Sequence, residues 1–188
     1  MFYLGIGILV FSFYILYDVN SVLWNQRFLH LSFLIGTVLL TGATVWQVKD
    51  ALQAGMLGSW FGLWLLLAAA FLVLLIYTLF FALPFDETYI QSASGKAVVY
   101  QEGMYALCRH PGVLWLALFY VCLGMAFRPS DLIQAGICYS LLDLLYVIIQ
   151  DVWTFPHTFE DYESYKVSTP FLIPNQKSIR RAFTKEGK

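Results

Sequence analysis

The chain has 188 residues, of which 60% are hydrophobic and 12% charged, with a formal net charge of −1 and a mean hydropathy of +0.69. Soluble domains carry about 25% charged residues, so this composition excludes an ordinary water-soluble domain. The sequence has no basic patch interleaved with aromatic residues, so nothing in it indicates a nucleic-acid partner. The long apolar runs instead predict an all-α polytopic membrane protein, with membrane lipid as its surroundings.

Five apolar segments are long enough, or nearly so, to cross a bilayer as helices of about 20 residues. In chain order they are residues 2–17, 29–48, 58–83, 112–127 and about 132–155. The first has no basic n-region and no small-residue cleavage site, which predicts a retained helix rather than a signal peptide. We therefore expect three spans in residues 1–83, and a functional part in residues 84–188 that begins with the polar loop 84–111.

Spans four and five are separated by only a few residues around Arg128 and Asp131. A connection this short predicts an antiparallel helical hairpin. The hairpin would bring the start of span four and the end of span five to the same membrane face. A polar tail follows Pro156, and its basic end is expected to lie against anionic lipid.

Lys and Arg are distributed unevenly between the two sides of the predicted bundle. The side of the predicted bundle opposite the polar loop holds only Lys49 and Arg128. The loop side holds Arg27, Lys96, Arg109, Lys166, Lys177, Arg180, Arg181, Lys185 and Lys188. By the positive-inside rule, the loop and the C-terminal tail should be cytoplasmic and the N-terminus outside.

Span five contains polar side chains that lipid would not tolerate. At 100° per residue, one helix face carries Gly136, Tyr139, Asp143, Tyr146, Gln150 and Thr154. A charged carboxylate costs at least about 2.5 kcal/mol at mid-membrane, so this face must contact other helices or a wet cavity. It is either a hydrogen-bonded seam between helices or the wall of a cofactor or substrate pocket.

The stretch YALCRHPGVLW, residues 105–115, places Arg109, His110 and Pro111 at the start of span four. In an antiparallel hairpin, these residues should meet Gln150 and Asp151 at the cytoplasmic face. Free N–H groups at a helix N-terminus suit a carboxylate ligand, and proline fits the first helical turn because its missing N–H has no helical partner. Alternatively, Arg109 is an interfacial anchor and His110 a satisfied imidazole.

Metal-site and disulfide patterns are weak in this chain. His110 and His157 lack HxxxH spacing, so no metal site is predicted. The cysteines at positions 108, 122 and 138 are odd in number and lack CxxC spacing, which favours apolar packing over a ligand set or a disulfide framework.

Two stretches resemble a known family. GMYALCRHPGVLW resembles the G-x-Y-x-x-x-R-H-P-x-Y segment of isoprenylcysteine carboxyl methyltransferases and related phospholipid methyltransferases, and FEDYESYKVSTPFLIP resembles their Y-x-x-Y-x-x-x-V-P-x-x-I-P ending. The likeness covers about residues 97–174. It implies a membrane enzyme that binds S-adenosylmethionine (SAM) from the cytoplasm and methylates a lipophilic or small acceptor, such as an isoprenylcysteine, a phospholipid or a thiol.

The resemblance also implies roles for particular residues. Arg109, His110 and Asp151 would be catalytic, and Asp143 and Tyr146 would face the substrate. Arg109 would orient a carboxylate or an anionic headgroup, and His110 would act as base for a neutral nucleophile. The positions implied for cofactor binding are Ala97, Val98, Val99, Tyr100, Tyr105, His110, Pro111, Gly112, Val113 and Gln150.

The chain departs from the family pattern at three places. The family's first acid is Gln150 here, its arginine is Tyr146, and the second tyrosine of its R-H-P-x-Y segment is Val113. The departures at Gln150 and Tyr146 leave open a first alternative, a non-catalytic scaffold that keeps the fold. A second alternative is an NADPH-dependent enzyme like the membrane sterol reductases, which resemble the same C-terminal hairpin and carry an R-H-P-like segment. The second needs more cationic residues for the extra phosphate than Arg109 and Lys96 supply.

Overall fold

The computed structural model describes residues 2–82, 97–128 and 130–183. Residues 1, 83–96, 129 and 184–188 lie outside the described residues, and with them the loop and tail lysines Lys96, Lys185 and Lys188.

The described chain is helical almost throughout. The helices are α1 (Phe2–Val19), α2 (Leu31–Gln53), α3 (Phe61–Phe80), α4 (Met104–Leu107), α5 (Pro111–Ala126), α6 (Ser130–Ile149), α7 (Phe155–Thr158), α8 (Tyr162–Ser168) and α9 (Gln176–Phe183). Helix α1 continues into a π-helical turn at Asn20–Trp24, and α6 into another at Gln150–Thr154. A 3₁₀ turn at Arg27–His30 precedes α2.

In the described ranges, four helical stretches are long and apolar enough to cross a membrane: Phe2–Trp24, Arg27–Gln53, Phe61–Phe80 and Asp131–Thr158. The fourth predicted span is the shorter apolar helix α5, which has 16 residues. At about 1.5 Å per residue it is about 24 Å long, less than the roughly 30 Å hydrocarbon core. The prediction of an all-α polytopic membrane protein is confirmed.

The predicted hairpin of spans four and five is present, and it is tightly packed. Helix α5 lies between α3 and α6, while α1 packs against α2 and α6. A Cβ added at Gly136 of α6 would lie 2.8 Å from Cβ of Tyr120 on α5, closer than real Cβ atoms come. Glycine at this position therefore lets the two helices of the hairpin approach each other.

The bundle has two ends, which we name by their contents. At the turn end, the loop between α2 and α3 is hydrogen-bonded to the end of α5: the Gly58 N–H donates to the Ala126 carbonyl (2.7 Å) and the Arg128 N–H to the Met56 carbonyl (3.1 Å). The opposite end, here called the tail end, gathers residues 18–30, 78–82, 97–111 and 150–183.

Candidate functional site

Three side chains, Arg109, His110 and Tyr162, converge on Asp151 at the tail end. Arg109 binds its carboxylate through two nitrogens, with Nε 2.7 Å from Oδ1 and Nη2 3.1 Å from Oδ2. The Tyr162 hydroxyl donates to Oδ1 at 2.7 Å, and His110 Nε2 lies 3.2 Å from the same oxygen. The start of α5 and the end of α6 therefore meet as the hairpin predicts, and we call these four residues the Asp151 cluster.

Arg109 also holds the C-terminal tail in place. Its Nη1 donates to the Lys166 carbonyl at 3.1 Å and to the Thr169 carbonyl at 2.7 Å. Together with the two bonds to Asp151, these contacts use four of the five guanidinium N–H groups. Arg109 is thus a clamp between α6 and the tail, with at most one N–H left for a ligand.

His110 is enclosed by aromatic side chains. Its ring stacks on Phe155 (5.7 Å between centroids, 8° between planes) and meets Phe171 edge-on at 5.0 Å. Burial lowers the pKa of His110, against the opposing effect of Asp151, so the imidazole is neutral near pH 7. A carboxylate only accepts hydrogen bonds, so Nε2 carries the proton and Nδ1 is the unprotonated nitrogen.

This lowered pKa predicts a pH dependence of stability. The folded protein binds a proton at His110 less readily than the unfolded chain, whose histidine titrates near about 6.5, so the contribution is complete above that pH and is lost as the pH falls below it. Between pH 7.5 and 5.5 we expect the midpoint of thermal unfolding to fall more for the wild type than for His110→Gln. Parallel pH profiles of the two proteins would contradict this assignment.

Residues 97–100, which the family resemblance implies for cofactor binding, are docked against the tail. The Val99 N–H donates to Asp161 Oδ1 at 2.8 Å, and the Ala97 carbonyl accepts from the Glu160 N–H at 3.0 Å. Val98 between them is exposed, and Tyr100 is half-buried. These contacts place the 97–100 segment at the tail end, as predicted, but they occupy two of its main-chain polar groups.

Tyr105 connects this segment to the helices. Its hydroxyl donates to the Thr78 carbonyl at the end of α3 (3.0 Å), and its own carbonyl accepts from the Tyr165 hydroxyl at 2.6 Å. Burial raises the pKa of Tyr105 to about 12, so this hydroxyl stays a hydrogen-bond donor. Tyr105 therefore ties α3, α4 and α8 together.

Residues 111–113 face into the bundle. Pro111 and Val113 are buried, and a Cβ added at Gly112 would touch Leu75 and Leu79 of α3 at 3.7 and 3.8 Å. This first turn of α5 therefore packs against α3, so these residues serve helix packing although they lie near the tail end.

Gln150 takes part in a second cluster, on a different face of α6 from Asp151. Its Nε2 donates to the Tyr146 hydroxyl at 2.8 Å. That hydroxyl donates to Oδ1 of Asp18 in α1 at 3.2 Å, and the Thr154 hydroxyl donates to Asp18 Oδ2 at 3.2 Å. We call these four residues the Asp18 cluster. Gln150 thus lies at the same end of the bundle as Arg109 and His110, but its side chain is hydrogen-bonded within the Asp18 cluster, because consecutive helical residues point about 100° apart.

The Asp18 carboxylate is buried, with 5% of the residue exposed. Within the described ranges, the ion pairs are Arg109–Asp151, the His110–Asp151 contact and Lys166–Glu163. In that part of the chain Asp18 therefore has neutral donors but no cation, whereas Asp151 is paired with a guanidinium.

Asp143 lies deeper, two turns from the end of α6. It is half-buried and lies on the same helix face as Tyr139 and Tyr146. Nearby, the Tyr139 hydroxyl and the Gln47 amide are buried without a hydrogen-bond partner among the described residues. The polar face of span five therefore does point into the bundle, as the sequence predicts.

A groove of about 320 Å³ lies on the bundle between α2 and α5, away from both clusters. It is lined by Thr44, Val45, Val48, Lys49, Leu52, Phe119 and Leu123. These residues belong to the halves of α2 and α5 nearer the turn end, so this groove is not the cofactor pocket expected between spans four and five.

The structure thus brings together most of the predicted residues at one end, but in two networks. Two participants were missed from the sequence. Asp18 directly follows the first predicted span, residues 2–17, and had no predicted role, and Tyr162 was only a part of the tail motif. A signal for Tyr162 was the Y-x-x-Y spacing, whereas nothing in the sequence pairs Asp18 with span five. Comparisons of the chain with protein-family models, curated proteins and solved structures found no match.

Proposed function

We propose that the protein is an integral membrane methyltransferase that binds SAM at the tail end and transfers its methyl group to a lipophilic or small acceptor. One observation carries the proposal. The segments to which the family resemblance assigns the cofactor, residues 97–100, 105, 110–113 and 150, are up to 53 positions apart in sequence and lie at one end of the bundle. The tail stretch that resembles the family's ending binds two of these segments through Asp161 and Tyr165, and it binds Asp151 through Tyr162.

The polar groups fit such a cofactor in one further respect. SAM carries a positive charge at sulfur and another at its amino group, and the Asp18 carboxylate is a buried negative charge with no cation bound to it in the described chain. Gln150, which stands where the family has an acid, belongs to the same cluster through its bond to Tyr146. The cluster thus supplies a charge that Gln150 lacks.

The chemistry required of the protein is modest. Bound SAM supplies an activated methyl group, and the transfer is an in-line displacement. Alignment of the reacting groups can contribute about 7–11 kcal/mol. Arg109 and Asp151 act as positioning residues, since they fix the tail and His110. The unprotonated Nδ1 of His110 is the group that would take the proton of a neutral acceptor.

The proposed orientation follows from the cationic residues. Among the described residues the tail end holds Arg27, Arg109, Lys166, Lys177, Arg180 and Arg181, whereas Lys49 and Arg128 lie toward the turn end. By the positive-inside rule the tail end is cytoplasmic and the N-terminus outside. SAM would then enter from the cytoplasm and the acceptor from the bilayer.

The test uses purified protein in nanodiscs. SAM and its demethylated product, S-adenosylhomocysteine, should raise the unfolding midpoint, and NADPH should not. Methyl transfer from radiolabelled SAM to a membrane lipid extract should fall about tenfold in Gln150→Met, while Gln134→Met, the same change at an exposed position of α6, keeps full activity. Stabilisation by NADPH alone would support a reductase instead.

A non-catalytic scaffold is the second candidate, and the clamp geometry of Arg109 favours it. Four of its N–H groups serve the fold, which is what a structural role requires. A wild-type protein that neither SAM, S-adenosylhomocysteine nor NADPH stabilises would support the scaffold and exclude the methyltransferase.

A further inference from the structure

The first helix contributes a carboxylate to the polar face of the last span. Asp18 lies in the last turn of α1 and accepts hydrogen bonds from Tyr146 and Thr154, which lie two turns apart on span five. The Gln150 amide lies between them and donates to the Tyr146 hydroxyl. Three consecutive positions of the predicted polar face are therefore organised around one acid from another helix.

The acids of the two clusters, Asp18 and Asp151, differ in how their charge is balanced. Asp151 is paired with Arg109 at 2.7 Å. Asp18 is equally buried, but its described partners are two hydroxyl groups and an amide, which carry no charge. A buried carboxylate with only neutral partners is costly, and a cationic ligand would compensate for it.

We propose that Asp18 binds the α-ammonium group of SAM, with the Gln150 amide beside it. This inference rests on the proposed function and adds a binding residue from α1, outside the region that resembles the methyltransferase family. The Tyr146 and Thr154 hydroxyls hold the carboxylate in position.

The ammonium is assigned rather than the sulfonium for a kinetic reason. Methyl transfer removes the positive charge from sulfur, so a carboxylate beside the sulfonium would stabilise the bound substrate more than the transition state and would slow the reaction. The ammonium charge is unchanged by the transfer. A carboxylate bound to it therefore tightens cofactor binding without that penalty.

The test compares three ligands by calorimetry on the full chain in nanodiscs. SAM and S-adenosylhomocysteine both carry the α-ammonium, and 5′-methylthioadenosine lacks the whole amino-acid portion. Asp18→Asn should weaken SAM and S-adenosylhomocysteine by a similar factor, roughly 10- to 100-fold, as expected for loss of a charged hydrogen bond. Binding of 5′-methylthioadenosine should be unchanged, which also shows that the variant is folded.

Asp50→Asn is the matched control, because Asp50 is an exposed aspartate toward the turn end, and it should bind all three ligands as the wild type does. If Asp18→Asn bound SAM as tightly as the wild type does, the inference would be overturned but the proposed function would stand. A loss of affinity for SAM alone would have the same consequence, because it would place Asp18 at the sulfonium. Equal weakening of all three ligands would also overturn it. A wild type that binds none of them would overturn the proposed function itself.

Discussion

Asp151→Asn is expected to destabilise the protein by about 3–5 kcal/mol, the cost of leaving one partner of a buried ion pair uncompensated. The Asp151 carboxylate accepts from Arg109 twice, from Tyr162 and from His110. An asparagine keeps one acceptor oxygen and turns an NH₂ group toward one of these donors. The free energy of unfolding in detergent micelles measures the loss.

The matched control for this change is Glu163→Gln. Glu163 forms the other carboxylate pair of the tail, with Lys166 at 3.0 Å, but its side chain is 75% exposed. Exposed pairs contribute about 0.2–1 kcal/mol, so this variant should unfold almost as the wild type does. Equal effects of the two substitutions would show that the Asp151 cluster does not hold the tail to the helices.

Gly58→Ala is expected to be the most disruptive change at the turn end. An added Cβ would overlap the Met125 carbonyl oxygen, and this neighbour is backbone that cannot rotate away. The loop would have to move from the end of α5 and lose the bond from the Gly58 N–H to the Ala126 carbonyl. We expect a loss of about 1–3 kcal/mol, the range for overpacked positions.

Gly62→Ala makes the same change in helix α3, where an added Cβ meets nothing within 4 Å. Alanine is favoured over glycine within a helix by about 0.5–1 kcal/mol, so this control should be slightly more stable than the wild type. The pair of variants should therefore shift the unfolding midpoint in opposite directions. Two shifts of the same sign would contradict the close approach at Gly58.

The membrane helices could be predicted because the length of each apolar run can be counted from the sequence alone. The hairpin followed from the short connection near Arg128, and the meeting of Arg109 with Asp151 followed from the hairpin. The inward direction of Tyr146 and Thr154 followed from helical periodicity. Each of these depends on local spacing along one or two helices.

The partners across the bundle could not be predicted in the same way. Whether Gln150 joins Arg109 or Asp18 depends on the rotation of α6 against α1, which periodicity does not determine. Asp18 ends an apolar run, and a charge in that place is usual for a helix that leaves the membrane. The packing of Gly112 against α3 likewise depends on which helix neighbours α5.

Ultraviolet cross-linking of radiolabelled SAM, followed by peptide mapping, tests most directly whether the tail end holds the cofactor. We predict saturable labelling within residues 97–113 or 146–171, or in the Asp18 segment of α1, which excess S-adenosylhomocysteine prevents. Labelling confined to the α2–α5 groove or the turn end, or labelling that S-adenosylhomocysteine does not prevent, would contradict the proposed site.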